Sequence, residues 1–277
     1  MKIIPLAFDS LGTRSMATYV EAEDCKILID PAVSLAGRRY GYPPHPLEIK
    51  RMDEHWAHIK GYASISDVLI ITHYHYDHHN PEEPEIFRDK IVFIKHPREY
   101  INKSQLNRAD FFLSQIKGLP KELHFSDSKE FTVKGAKIRF SEPVPHGPTN
   151  KLGYVTEVSV FDGSYKLVHT SDIQGGILEE QVKFLLEEDP DFVIIDGPMF
   201  GNPLQNMVRV ILRTKVRMFL IEHHYLRDLK WKDKLKELYI EAEKKGVQVL
   251  SSAEFLGLEN DLLEAKRKQL YKEYPVE

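Results

Sequence analysis

Apolar and polar residues change rhythm along the chain, and the rhythm predicts the elements. Before Asp30 the apolar positions form short runs rich in β-branched and aromatic side chains: Ile3–Phe8, Ser15–Glu21 and Lys26–Ile29, with Glu23-Asp24 at a turn. Then comes a long connection, Pro31 to Ser66, dense in Gly, Pro, Arg and Tyr, in which one helix is predicted near Asp53–Ile59. A connection of that length is usually functional or mobile. The continuously apolar run Val68–Thr72 reads as a buried strand, followed by a His-rich loop and another strand at Ile91–Ile94. Pro97–Ile116 is predicted helical, with Pro97 suited to its first turn. One hairpin turns at Lys134-Gly135 between Phe131 and Phe140; another turns at Asp162-Gly163 between Val155–Phe161 and Tyr165–His169.

From Gly176 onward helices and strands alternate: Ile177–Glu187, Phe192–Ile195, Leu204–Leu212, Arg217–Ile221, Leu229–Lys244 and Val247–Leu250, before a charged helix around Asn260–Tyr271. A β-rich start with hairpins and an αβαβ finish predicts two packed sheets covered by helices. We read the chain as one α/β domain over residues 1–277.

Composition acts mainly by exclusion. With 42% apolar residues in 277, the chain can bury a sizeable core without disulfides, and its lone cysteine, Cys25, rules out a disulfide framework or a Cys-rich metal site. The balance of 38 basic and 42 acidic residues, a net −4, argues against a protein that coats nucleic acid. The apolar runs are strand-sized, well short of the roughly 20 residues that span a bilayer. The N-terminal run is broken by Pro5 and stopped by Asp9, too short for a signal-peptide core. A cytoplasmic protein with no membrane partner is expected.

The chemistry concentrates in THYHYDHHNP, Thr72 to Pro81, where His73, His75, Asp77 and His78 form H-x-H-x-D-H directly after a buried strand. Neutral imidazole and carboxylate are ligands that zinc accepts. With 13 His in 277 residues, such a pattern has a chance of about 0.05⁴ per window, roughly two in a thousand over the chain. One loop cannot complete two metal sites, so later strand ends should add ligands. His146 in PVPHGPT, Asp172 in HTSDIQG and His223 in FLIEHHYLRD each follow a predicted strand.

In this order the series resembles the ligands of the metallo-β-lactamase-fold hydrolases, over a span from about Asp30 to His223. The resemblance implies a four-layer αββα sandwich of two mixed sheets flanked by helices. It implies that His73, His75 and His146 hold one divalent ion, that Asp77, His78 and His223 hold a second, and that Asp172 bridges them. Asp30, which ends ILID, is implied as a supporting residue. The resemblance narrows to an uncharacterised, largely archaeal branch carrying THYHYDHHNP, SDIQG and a SAEFLG-like segment, whereas the Pro31–Ser66 connection departs from the commonest members.

Two divalent ions, zinc by expectation with iron or manganese as alternatives, would share one hydroxide by lowering the pKa of water from about 15.7 toward neutrality. That hydroxide would attack an ester-, thioester-, lactone- or phosphodiester-type bond in a small-molecule or short-oligomer substrate. Asp77 and Asp172 are counted as catalytic through the nucleophile, and His224 as a proton donor to the leaving group. His223 is preferred to His224 as the final ligand, because consecutive side chains leaving a strand point to opposite sides and Arg227 stands at the superfamily's spacing from His223. Three alternatives stay open: an RNA or DNA phosphodiesterase, an iron-based redox domain on the same fold, and a metal-binding protein without turnover. The redox version commonly carries Glu where His75 stands and is followed by a flavin domain.

Other residues receive plainer readings. Asp196 is a turn cap or a partner to a ligand imidazole. Tyr74 and Tyr76 alternate with the ligands and are expected to pack away from them. His79 is a loop neighbour or a donor behind the ligands. Arg38, Arg39 and Tyr40 read as a solvated loop, with an anion-binding lid as the alternative, and Lys266-Arg267-Lys268 as an exposed helix face.

Overall fold

A computed structural model describes residues 1–199 and 204–276. Its first mixed sheet runs in chain order: β1 (Lys2–Phe8), β2 (Met16–Ala22), β3 (Cys25–Ile29), β4 (Val68–Ile71), β5 (Ile91–Ile94) and β6 (Glu122–Phe125). The β1–β2 and β2–β3 pairs are antiparallel; the rest are parallel. The next strands are β7 (Glu130–Val133), β8 (Ala136–Phe140), a small ribbon of β9 (Val144–Pro145) with β10 (Tyr154–Val155), then β11 (Val158–Phe161), β12 (Lys166–His169), β13 (Phe192–Asp196), β14 (Met218–Glu222) and β15 (Gln248–Leu250). Without the ribbon they form a second sheet, ordered β15-β14-β13-β12-β11-β8-β7, parallel from β12 to β15.

The helices are α1 (Pro46–Ile65), α2 (Lys103–Gln115), α3 (Glu179–Glu188), α4 (Gln205–Arg213), α5 (Lys236–Lys245), α6 (Ser252–Phe255) and α7 (Leu263–Glu273). Alternation within the apolar strands builds the layers. Ile27, Ile29, Val68 and Ile70 meet Leu167, Phe192, Ile194 and Leu220 between the sheets. Their neighbours Leu28, Leu69 and Ile71 face Ile59 and Ala63 of α1 and Ala109 and Phe112 of α2. On the far side Val168, Val193, Ile195, Phe219 and Ile221 pack with residues of α3, α4 and α5. The arrangement is the expected four-layer αββα sandwich. Strands buried on both faces need apolar residues at every position, which is why their runs are continuous.

Several predicted boundaries move. The helix placed near Asp53–Ile59 spans twenty residues, Pro46–Ile65, started by Pro46 and by a capping box between His45 and Glu48. The helix predicted from Pro97 begins at Lys103, because the Asn102 side chain caps it by accepting from the Gln105 N–H at 2.8 Å. The Leu229–Lys244 segment opens as a 3₁₀ turn, Trp231–Leu235, before α5. Strand β6 was not foreseen; it is a half-exposed edge strand without a clean apolar rhythm.

The largest correction concerns Arg267. It does not stand on an exposed face but is fully buried, forked onto Glu48 by two bonds of 2.8 Å and donating to the carbonyls of Ala36, Gly37 and Tyr42. One side chain thus ties α7, α1 and the Pro31–Ser66 connection together. Arg267→Ala leaves the buried Glu48 carboxylate without its counter-charge, with only the His45 N–H still bonded to it, so we expect a loss of about 3–5 kcal/mol in urea unfolding. A loss below about 1 kcal/mol would show that water replaces the guanidinium at no cost.

Candidate metal centre

The site forms where parallel strands of the two sheets end side by side. Asp9 follows β1, Asp30 follows β3, and Thr72 and His73 follow β4; across from them Asp172 lies just beyond β12, Asp196 ends β13 and His223 follows β14. After β4 the chain turns on itself, with the His78 and His79 N–H groups donating to the His75 carbonyl at 3.0 and 3.2 Å. That turn brings His75, Asp77 and His78 back toward His73.

Three overlapping groups result, two of them of four residues and one, Asp172 with Asp196 and His224, of three. His73, His75, His146 and Asp172 each offer a ligand atom within 4.8 Å of the others, and so do Asp77, His78, Asp172 and His223. The seven residues named from the sequence are therefore brought together, with Asp172 common to both four-residue groups. Its carboxylate lies 3.0 Å from His146 Nε2, 3.1 Å from His78 Nε2, 3.3 Å from His223 Nε2 and 3.6 Å from His73 Nε2. His223 Nε2 is also 3.6 Å from Asp77.

The chemistry of these atoms fits cations. His73 Nε2, His78 Nε2 and Asp172 Oδ1 are buried without a hydrogen-bond partner, although His78 and Asp172 are close. Buried polar atoms are rarely left so. The charge balance points the same way. Burial would raise Asp172 and Asp77, but His223 and His78 hold Asp172 well below the usual carboxylate range, and His78 and His223 do the same for Asp77. Burial alone would depress His78 and His223, yet Asp172, joined by Asp30 at His78 and Asp9 at His223, raises both, His223 to about 10. The surplus of carboxylate charge around these two imidazoles is the field in which a cation would be stabilised. By contrast, burial and neighbouring imidazoles push His73 down, and His75 down to about 4.

A second set of residues fixes the rings. Asp30 accepts from the Thr72 backbone and hydroxyl at 2.8 and 2.7 Å and lies 2.8 Å from His78 Nδ1. Asp9 does the same for His223 Nδ1 at 2.8 Å and takes the Arg227 Nε–H at 2.9 Å. The Ser171 and Thr72 hydroxyls stand 3.2 and 3.3 Å from His73 Nδ1. Carboxylates behind ligand imidazoles set the tautomer and strengthen the free nitrogen. Asp30, Ser171 and His223 adopt positive φ of 50°, 56° and 60°, costly conformations that cluster at functional sites.

The remaining candidates divide. Asp196 does both: it caps the backbone by accepting from the Gln174 and His224 N–H groups, and it stands 3.0 Å from Nδ1 of His224, an imidazole outside the two four-residue groups. Burial, with Asp172 adding, pushes Asp196 up to about 7, whereas burial and the charges of Arg227 and His223 push His224 down. Tyr74 packs in the core and donates to the Lys95 carbonyl. Tyr76 does not pack away; it is 46% exposed at the rim of the site. His79 is a loop neighbour, its Nδ1 2.9 Å from the His75 carbonyl. Arg39 is no solvated loop residue, being tied to Glu264 and the Arg227 carbonyl. Asp9 and Ser171 escaped the sequence reading. For Asp9 the signal was there, since it ends a strand as Asp30 does.

No protein-family model matches the chain. A "UPF0282 protein" of Metallosphaera sedula is 48% identical over 287 residues, covering 98% of this chain and 93% of the relative. The chain belongs to the UPF0282 family. Solved structures share the fold of this UPF0282 protein at low identity. The isothiocyanate hydrolase from Delia radicum gut bacteria is 14% identical, with a TM-score of 0.57 over 91% of this chain and 97% of that one. The metallo-β-lactamase fold protein YhfI from Bacillus subtilis is also 14% identical, with a TM-score of 0.53 over 90% and 94%. The UPF0282 chain therefore has the metallo-β-lactamase fold, as the motif suggested. Among the described residues no helix is long and apolar enough to cross a membrane.

Proposed function

We propose that this UPF0282 protein is a hydrolase that works with two divalent cations, zinc first among the candidates. The observation that carries the reading is the pair of four-residue clusters sharing Asp172, with unpartnered imidazole nitrogens facing it. His73, His75 and His146 would hold one cation, Asp77, His78 and His223 the other, and Asp172 both. When bound, the cations supply Lewis-acid polarisation of an electrophile and acidify water toward neutral pH. Asp77, 14% exposed at its side chain, faces the cavity and orients the attacking water. His224, its Nδ1 3.0 Å from Asp196, lines the same cavity; kept neutral by burial, it would take the proton released by the attacking water and pass it to the leaving group. A cavity of about 300 Å³ suits a small molecule or the end of a short oligomer.

Protein purified without chelator should carry about two equivalents of zinc, iron or manganese by emission spectroscopy, and chelation should abolish hydrolysis of aryl esters or phosphodiesters until metal is restored. One equivalent or less, with no second ion taken up on titration, would rule out the paired site.

Loading should also release protons. The neighbouring carboxylates push His223 up to about 10 and raise His78 as well, so a cation would compete with protons there and its affinity climbs as pH rises. Calorimetric titration in buffers of different ionisation enthalpy measures the release. Loading that takes up no less metal at about pH 6 than at about pH 8 would contradict this assignment.

A further inference from the structure

Three arginines line the cavity beside the clusters: Arg14, Arg108 and Arg227. Two are committed. Arg14 is forked onto Glu264 at 2.6 and 2.8 Å, and Arg227 is bonded to Asp9 at 2.9 Å. Arg108, on α2, has no carboxylate partner among the described residues. Its Nη1 lies 3.5 Å from the Tyr74 carbonyl, and its guanidinium lies over the Tyr76 ring, 4.8 Å from the centroid. The carboxylates of this cavity, Asp77 and Asp172, are both engaged by imidazoles of the clusters. The guanidinium is thus a cation held in place and free to meet an anion.

A second cavity, about 320 Å³, adjoins the first and shares Ser34 and Tyr76 with it. Its walls include Val33, Leu35, Met52 and Phe111, supplied by the Pro31–Ser66 connection with its helix α1 and by α2. Tyr76 therefore stands between a charged mouth and an annex that sets those apolar walls beside His79, Asn80 and Glu82. An exposed aromatic ring in that place offers a stacking face to whatever joins the two.

We propose that the substrate is an organic anion with an apolar arm: Arg108 grips its negative group at the mouth, and the arm crosses the Tyr76 ring into the annex. This rests on the hydrolase reading above and names the substrate class of that site. A phosphate diester and a carboxylate-bearing ester present the same charge to a guanidinium, which bonds either in a forked manner. The connection that departs from commoner relatives of the fold thereby becomes a specificity element.

The test uses metal-loaded protein and three series of p-nitrophenyl substrates: alkyl phosphodiesters, esters carrying a free carboxylate, and neutral alkyl esters. Arg108→Ala should raise KM by about 10- to 100-fold for one anionic series, with kcat little changed, and leave the neutral series alone. Arg108→Lys should recover part of the loss, and the responding series tells phosphate from carboxylate. Lengthening the alkyl chain should lower KM by up to about threefold per methylene, and Phe111→Ser, at a 45% exposed position, should blunt that gain. Equal effects of Arg108→Ala on charged and neutral series overturn the anion grip, and a flat chain-length dependence overturns the arm. If the wild type cleaves no series, the hydrolase reading falls by itself. Calorimetry with inorganic phosphate then decides the grip: binding weakened by Arg108→Ala upholds it, and binding indifferent to the substitution overturns it.

Discussion

Asp172→Ala is expected to leave the protein without bound cations and without hydrolysis. Four imidazole nitrogens stand within 3.6 Å of this one carboxylate, and both clusters contain it. Between two cations a carboxylate relieves their repulsion, so losing it weakens both sites together. The affinity loss should exceed the roughly 10- to 100-fold that accompanies removal of an outer partner to a ligand. Turnover should fall by at least about 10³-fold, the scale on which one lost electrostatic partner already acts. Asp172→Asn keeps the shape and removes the charge, so it should resemble the alanine variant if charge is what matters. Metal content, kcat/KM and far-ultraviolet dichroism on the same samples separate this from unfolding. A folded variant that retains two cations and full turnover would reduce Asp172 to a turn residue after the strained Ser171.

What could be read from the sequence follows from how local each feature is. The loop His73 to His78 is contiguous, so its donor spacing was visible, and His146, Asp172 and His223 were visible because each follows an apolar run. Strand β5 matches its predicted bounds because a doubly buried strand shows as an unbroken apolar run. Strand β6 was hidden because its edge position leaves residues such as Leu123 and Phe125 exposed. Arg267 was misread for a different reason. A charged residue in a polar helix gives no sign of being buried when its partner, Glu48, lies 219 residues away. Asp9 shows the same limit, since it meets His223 across 214 residues. The alternation argument for His223 and His224 was sound for a continuing strand, but His223 adopts φ of 60° and begins a 3₁₀ turn. The two rings consequently lie only 4.6 Å apart, and each shares a group with Asp172.

That proximity makes the pair the sharpest test of the ligand set. His223→Ala should cost about one of two cation equivalents, whereas His224→Ala should cost neither and should lower turnover. His223 sits in the second cluster, and its Nδ1 is held by Asp9, which frees Nε2 to face Asp172 and Asp77. Arg227 Nη2 lies 3.0 Å from Nε2 and 3.4 Å from Nδ1 of that ring, and would give up its place at Nε2 when a cation is held there. His224 is arranged the other way: Asp196 takes its backbone N–H and faces its Nδ1, leaving Nε2 for the cavity. Burial raises Asp196 to about 7 while depressing His224, so a proton taken up by His224 is readily passed on. Loss of a positioned proton donor typically costs about 10²–10⁴-fold in turnover. Asp172, Asp196 and His224 also form a third cluster with ligand atoms within 4.8 Å, which defines the opposing outcome. If His224→Ala sheds a cation and His223→Ala keeps both, the second cation belongs to that cluster, and His224 is a ligand, not an acid.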